Sequence, residues 1–253
     1  MNLEYYERVF TLQTSPLLID ATSDFSWMLS RGYTTTSSLK MVGDRYRLNK
    51  TLREAVKRAG CSSASRYARD QRAVLAGALR GATVWIDGFN LLITLERALR
   101  GDPILLCQDG VVRDIAGVHG TYRRGRHTIS AFNLISDLLG SLEVTTVKWL
   151  FDRPVSNSGR VAEIARAYGE AEVVNDPDQE LINASPEVVV ISGDGEILER
   201  CAQWFNLGSL ALSRTDLLTT HALKHGSDPA LRSHNQQRII PWVIDLSSTS
   251  SSP

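Results

Sequence analysis

The chain has 253 residues with 28 Lys+Arg against 28 Asp+Glu, 43% hydrophobic and 22% charged, the profile of an ordinary globular protein. No run approaches the ~18 apolar residues of a membrane helix, and the acidic, aromatic start MNLEYYERVF is not the pattern of a secretory leader. Cys61, Cys107 and Cys201 are odd in number and widely spaced, fitting neither a disulfide framework nor a zinc site, so a cytoplasmic location is expected.

Charge is unevenly distributed. Residues 1–80 hold 13 Lys+Arg against 7 Asp+Glu, and the remainder 15 against 21. A basic front end attached to an acidic domain can attract a polyanion to one part and a cation to the other; it is equally what two solvated surfaces of uneven composition look like.

Residues 1–80 read as a small, mainly helical module. DFSWMLSRGY has helix-like apolar spacing stopped by Gly32, and TTTSSLKMVGDRYRLN is interrupted by Gly43. Asn49 caps KTLREAVKRAG, which Gly60 ends. Ser63 or Ser65 caps a further helix through ARDQRAVLAGALRG, closing at Gly81. In VGDRYRLNK, Arg45, Arg47 and Lys50 surround Tyr46, either as an RNA-contacting patch or as an exposed helix face.

From residue 81 strands and helices alternate. ATVWID is a short strand and FNLLITLERALRG the helix after it. PILLCQDG is a strand and turn. RHTISAFNLISDLLGSL is an amphipathic helix, VTTVKWLFD a strand and SNSGRVAEIARAYG a helix with capping residues at its start. AEVVND, VVVISGD and IIPWVIDL read as strands. DQELINAS, GEILERCAQWF and TDLLTTHALKHG read as helices. The alternation predicts an α/β fold: a three-layer α/β/α domain over 81–246 with a mainly parallel sheet, followed by a disordered tail at 247–253.

Chemistry is expected where these strands end. Asp87, Asp152, Asp176 or Asp178, and Asp194 close or follow successive apolar runs, and in open α/β sheets sites lie at the carboxyl ends of strands. Asn90 stands three residues after Asp87, and Glu196 two after Asp194. Carboxylates gathered from several strand ends suit hard cations such as Mg²⁺ or Mn²⁺. Asp87, Asp152, Asp178 and Asp194 are the expected ligands, with Asn90 and Glu196 completing the site. Each has a plainer role open to it. Asp87 and Asp194 can be Asp-Gly turn residues, Asp152 can pair with Arg153, and one of Asp176 and Asp178 can be an N-cap. Glu196 can simply favour a helix's first turn.

IDGFN and VVVISGDGEI, each followed by a helix, resemble the first and fourth acidic motifs of PIN-like and NYN-type nucleases, over roughly residues 83–212. The resemblance implies a divalent-metal-dependent ribonuclease with Asp87 and Asp194 as metal-site acids and Asp152 and Asp178 as intermediate ones. A second acidic motif is not cleanly visible, and Glu196 stands where Asp is commoner. The segment CQDGVVRDIAGVHGTYRRGRH is longer than a minimal member needs. Residues 1–80 look like a module of an uncharacterised prokaryotic family.

That inserted segment packs His119, Tyr122, Arg123, Arg124, Arg126 and His127 into nine residues. With Arg160 at a helix start, His119, Tyr122 and the arginines form the expected contact set for single-stranded RNA, Tyr122 stacking on a base and the guanidiniums taking phosphates. The plainer alternative is a solvated loop. No Walker loop, G-x-S-x-G elbow or G-x-G-x-x-G after a strand is present, and IDGFN lacks the second Asp of a D-x-D motif. The expected activity is metal-dependent RNA hydrolysis. The alternatives are a catalytically degenerate RNA-binding or assembly module on the same fold and a phosphohydrolase of small esters.

Overall fold

The structure is a computed structural model, and it describes residues 3–11, 14–115, 122–214, 216–218 and 242–248. In chain order the first elements are α1 (Leu3–Val9), α2 (Thr14–Ser30), α3 (Thr35–Arg45), α4 (Lys50–Ala59) and α5 (Ser63–Asp70). A 3-10 turn, Ala76–Leu79, leads to β1 (Thr83–Asp87) and α6 (Gly88–Arg100). Next come β2 (Ile104–Leu106), β3 (Val112–Asp114), α7 (Thr128–Ser141), β4 (Thr146–Asp152) and α8 (Ser158–Ala165). Then follow β5 (Glu170–Val174), α9 (Pro177–Ile182), β6 (Val188–Ile191), α10 (Gly195–Arg200), α11 (Leu207–Ser213) and β7 (Val243–Asp245).

The chain divides into two compact units. One comprises Met1–Gln71, Asp102–Ala116 and Trp242–Pro253, the other Arg72–Gly101 and Gly117–Pro241. The division lies close to the expected boundary at residue 80, but it moves two pieces of the expected 81–246 domain into the first unit. The reason is strand pairing. β2 pairs antiparallel with β3 and parallel with β7, making a separate three-stranded sheet in the order β3-β2-β7.

In the first unit, Leu18 and Phe25 of α2, Val42 of α3 and Leu52 and Val56 of α4 share one core with Leu105, Ile115 and Ile244 from the small sheet. α3 runs through Gly43 rather than breaking there. A Cβ at that position would sit 2.1 Å from the Arg53 guanidinium, which instead lies across the glycine and bonds Asp44 at 2.7 Å. The basic patch is tied into its own unit: the Tyr46 hydroxyl donates to Asp24 at 2.8 Å. Asn49 and Gly60 bound α4 as expected, Asn49 accepting from Leu52 N at 3.0 Å. α5 is capped by Ser62 and stops at Asp70, well short of Gly81. Beyond it, in the second unit, Trp204 N donates to Arg72 O and Val74 N to Trp204 O, so the backbone is committed to an extended bridge rather than a helix.

The buried polar centre of the first unit is Asp109. Arg113 donates to both of its oxygens, at 2.9 and 2.6 Å, and Arg69 also bonds Oδ2. Its side chain is fully buried and those of both arginines are 10% exposed. Burial pushes the carboxyl up, but Arg113 and Arg69 outweigh it and hold it below the usual carboxylate range.

The second unit is α/β: four parallel strands in the order β5-β4-β1-β6, flanked by helices. β1, β4 and β6 are apolar runs of the sequence, and β6 is buried along its whole length, as a parallel strand covered on both faces must be. Phe132, Trp149 and Phe151 fill the core, with Phe132–Trp149 centroids 5.0 Å apart. The chain steps outward from β1 to β4 to β5, then returns to place β6 on the opposite side of β1. The order therefore reverses at β1, and the crevice beside its carboxyl end is the topological switch point. No helix among the described residues is long and apolar enough to cross a membrane. The expected helix TDLLTTHALKHG lies mostly outside the described residues, as does most of the expected tail.

Asp109→Ala should destabilise the first unit by about 3–5 kcal/mol, because it strands two buried guanidiniums. A chemical denaturation midpoint measures it. Because the folded carboxyl is depressed, the wild-type contribution is present above the unfolded value of about 3.9 and is lost as pH falls through the lower folded value. A variant that unfolds at the wild-type midpoint at neutral pH would contradict this account.

Candidate functional site

The switch point is closed by a clasp between two segments about a hundred residues apart. β1 ends on Asp87, and its side chain accepts from Asn90 N at 3.4 Å as the N-cap of α6. β6 runs out into Ser192, whose hydroxyl donates to Asp87 Oδ2 at 2.7 Å and accepts from Asp194 N at 2.9 Å. Asn90 Oδ1 accepts from Gly193 N at 2.8 Å. Asp194 caps α10, its Oδ1 accepting from Glu196 N at 2.8 Å and Ile197 N at 3.4 Å. Both acids are thus helix caps, as sequence chemistry allows, and they are also neighbours.

Gly88 explains how Asp87 is held at the sheet end. A Cβ there would lie 2.4 Å from the Phe151 ring and 2.8 Å from Leu150 O, so only glycine lets the first turn of α6 pack onto β4.

The acids influence one another. Burial is the main cause that pushes Asp87 up to about 7; the Ser192 hydrogen bond lowers it, and Asp178 and Asp194 raise it further. Asp178 is pushed up to about 6, first by lost hydration and then by Asp194, Asp176 and Asp152. Asp152 is raised by burial and by Asp176. These four expected ligands therefore share the carboxyl edge of one sheet. Asp176 is the cap of α9, accepting from Gln179 N at 3.0 Å ahead of Pro177, which leaves Asp178 in the first helical turn. Arg153 turns away from Asp152 and donates to Val173 O at 3.0 Å. Glu196 is exposed and pairs with Arg200 at 2.6 Å.

The donor set is all carboxylate oxygen, which suits a hard divalent cation in chemistry and in charge. Among the described residues, however, no three His, Cys, Asp or Glu side chains converge into a metal-holding group. The acids are assembled at one edge without being drawn around one point.

The basic residues also collect. Arg123, Arg124 and Arg160 line a cleft of ≈ 470 Å³ with Asn157 and Glu163, over the aliphatic surface of Val161 and Ile164. Asn157 adopts φ 70°, left-handed, and donates from Nδ2 to Tyr122 O at 2.8 Å, joining the segment before α7 to the start of α8. Arg126 is exposed, does not line the cleft, and donates to His127 Nε2 at 3.2 Å. His119 lies outside the described residues.

Tyr122 corrects the expectation of base stacking. Its ring is buried, 4% exposed, against Phe89 with centroids 5.2 Å apart. Its hydroxyl donates to Glu96 Oε1 at 2.5 Å, and Glu96 also accepts from Thr128. An apolar partner and a buried carboxylate outcompete solvent for this side chain, so no face of the ring is open to a base.

Two residues escaped the sequence reading. Ser192 is the hinge of the clasp, and its signal was available as a Ser two positions before Asp194 at the end of an apolar run. Glu96, half-buried and raised by burial, had no signal beyond being an acid within an apolar helix.

Residues 76–210 match a family described as a domain of unknown function, DUF5616. The chain belongs to the DUF5616 family. Residues 17–72 match a second description, DUF434, a protein of unknown function. The chain is 31% identical over 186 residues to the uncharacterized protein MJ0935 of Methanocaldococcus jannaschii, covering 71% of this chain and 88% of that protein. No solved structure matches. The DUF5616 segment contains every acid of the sheet edge and every residue lining the arginine cleft.

Two outcomes test the geometry. Gly88→Ala should cost roughly 1–3 kcal/mol by overpacking against Phe151, read as a lowered unfolding midpoint. For Asp87, whose folded value lies above its unfolded one, the folded state binds the extra proton between about pH 4 and pH 7, so this group's contribution to stability falls as pH rises through that window. Asp87→Asn should flatten that dependence and raise stability near pH 8 by roughly 1–3 kcal/mol. Parallel pH–stability curves for the two proteins would refute the buried-acid assignment.

Proposed function

We propose that the second unit is a divalent-metal-dependent nuclease acting on RNA, single-stranded by preference. The observation that carries this reading is the pairing of an acidic sheet edge, in which neighbouring carboxylates raise the proton affinity of Asp87 and Asp178, with an arginine-lined cleft in the same unit. Like charges crowd together at a cost unless a cation relieves them. Asp87, Asp178 and Asp194, with Asp152 at the rim, would hold Mg²⁺ or Mn²⁺ largely through bound waters, which Mg²⁺ retains in any case. When bound, such an ion supplies an acidified water as nucleophile and positive charge for the leaving oxygen.

The protein's own residues do the rest. Ser192 and Asn90 fix the ends of β1 and β6 so that Asp87 and Asp194 keep one geometry. Ionised Asp87, short of solvating water, orients and accepts the proton of a water that its neighbours also bond. Arg123, Arg124 and Arg160 hold phosphate oxygens by paired N–H donors. Arg126 supplies more diffuse attraction from its exposed position. Glu196, bonded to Arg200, also raises Asp178 and so stands with the acids of the edge, where it would complete the site.

The test is cleavage of labelled single-stranded RNA by the full chain with Mn²⁺ or Mg²⁺, against EDTA. Asp87→Asn and Asp194→Asn should each reduce the rate by roughly 10³-fold or more while leaving RNA binding in place. Binding with no metal-dependent cleavage would replace the nuclease with a degenerate RNA-binding module. Turnover of nucleotides but not oligonucleotides would replace it with a small-ester phosphohydrolase.

A further inference from the structure

The arginine cleft has more positive charge than a passing strand requires. Arg123, Arg124 and Arg160 meet around it, and among the described residues no ion pair engages any of the three. The one acid in the lining, Glu163, bonds Arg166 instead. The lining therefore carries about two charges of surplus once Glu163 is set against one arginine. Each internal phosphodiester of RNA brings one negative charge, whereas a phosphate monoester brings about −1.5 to −2 at neutral pH and three terminal oxygens. Three arginines lining one cleft can supply the charge and the donors that the second group needs. The cleft is open to solvent, with its arginines exposed, and Asn157, left-handed and bonded to Tyr122 O, fixes the segment bearing Arg123 and Arg124 to the helix start bearing Arg160. The cations are thereby brought together from sequence positions more than thirty residues apart.

We propose that the cleft is a terminal-phosphate pocket, recognising the monophosphorylated end of an RNA strand in preference to its interior. The inference rests on the reading of this unit as RNA-acting, but it concerns binding alone. An end anchored there runs toward the carboxyl edge of the same sheet, because α8 begins just beyond Asp152, the end of β4. Aliphatic Val161 and Ile164 give the first sugar or base an apolar surface.

The experiment is fluorescence anisotropy with the full chain in EDTA, so that no cleavage contributes. The probes are one short RNA carrying a 5′-monophosphate, a 3′-monophosphate or hydroxyls at both ends, with inorganic phosphate as competitor. One of the phosphorylated strands should bind about tenfold more tightly than the hydroxyl strand. Arg160→Gln and Arg124→Gln should each erase that preference with the melting temperature unchanged, whereas Asp87→Asn should keep it. The two phosphorylated arms identify which end is read. If inorganic phosphate competes as well as the phosphorylated strand, the site is an anion pocket with no strand-end preference, and the proposal is overturned. Equal affinity of all three strands overturns it too, as does a preference that survives Arg160→Gln. A preference without any metal-dependent cleavage leaves the pocket standing while the nuclease reading falls.

Discussion

Asp87 and Asp194 at the acidic edge are held by one hydrogen-bonded clasp, Ser192 to Asp87, reinforced by Gly193 to Asn90. These bonds join residues 105 and 103 positions apart and lock β6 beside β1 where the strand order reverses. A hydrogen bond to a charged group contributes about 1.5–3 kcal/mol, and here it offsets only part of what burying the carboxylate costs. The balance is visible in Asp87 itself, whose value rises to about 7 despite the Ser192 bond. The same serine positions Asp194 by accepting from its amide, so one hydroxyl sets the geometry of both acids. Removing the second Asp would leave a cap unfilled. Removing Ser192 would leave two acids without a common register.

The second unit separates its charges by element. Acids sit at the ends of β1, β4 and β6 and on the first turn of α9. The arginines come from the segment before α7 and from α8. Parallel β-α connections make this separation possible, because every strand delivers its carboxyl end, and the following helix its amino end, to the same edge. Helix N-termini favour anions, yet Asp87 and Asp178 remain raised, so desolvation and mutual repulsion win over the helix contribution. The edge therefore carries concentrated negative charge and the arginine cleft of the same unit concentrated positive charge.

β1, β4 and β6 of the larger sheet were legible as apolar runs ended by an acid or a turn, whereas β5, with Glu170 and Glu172 exposed, is an alternating strand at the sheet's edge. Asp87 and Asp194 were legible for the same reason. The small sheet was not. β2, β3 and β7 have three residues each, too few to show a period, and β7 pairs with β2 from about 140 positions away. No local pattern tells such strands which sheet they join, and that is why Asp102–Ala116 was expected in the wrong unit. The end of α5 failed similarly: ARDQRAVLAGALRG has good helix formers, but the backbone at Arg72 and Val74 was claimed by Trp204 through a tertiary contact. Tyr122 failed for a different reason. The composition of the loop, rich in Arg and Gly, suggested an open stacking surface, and composition cannot register Phe89 and Glu96 waiting in the fold. Arg123, Arg124 and Arg160 came together because Asn157 bonds Tyr122 O and so joins the segment before α7 to the start of α8.

The raised value of Asp87 also constrains how the edge works. Near neutrality the carboxyl is divided between protonated and ionised forms, so any cation drawn to the edge competes with that proton. The competition is steepest where Asp87 and Asp178 ionise, about pH 6 to 7. Below that window the edge is closer to neutral and the Ser192 bond is made to a carboxylic acid, which weakens it. Above it the acids repel, and the clasp must hold two charged strand ends together. The rigid parts that bear this load are built without charge: Gly88 pressed against Phe151, and β6 buried from Val188 to Ile191. An apolar scaffold that does not respond to pH thus holds a polar edge that does.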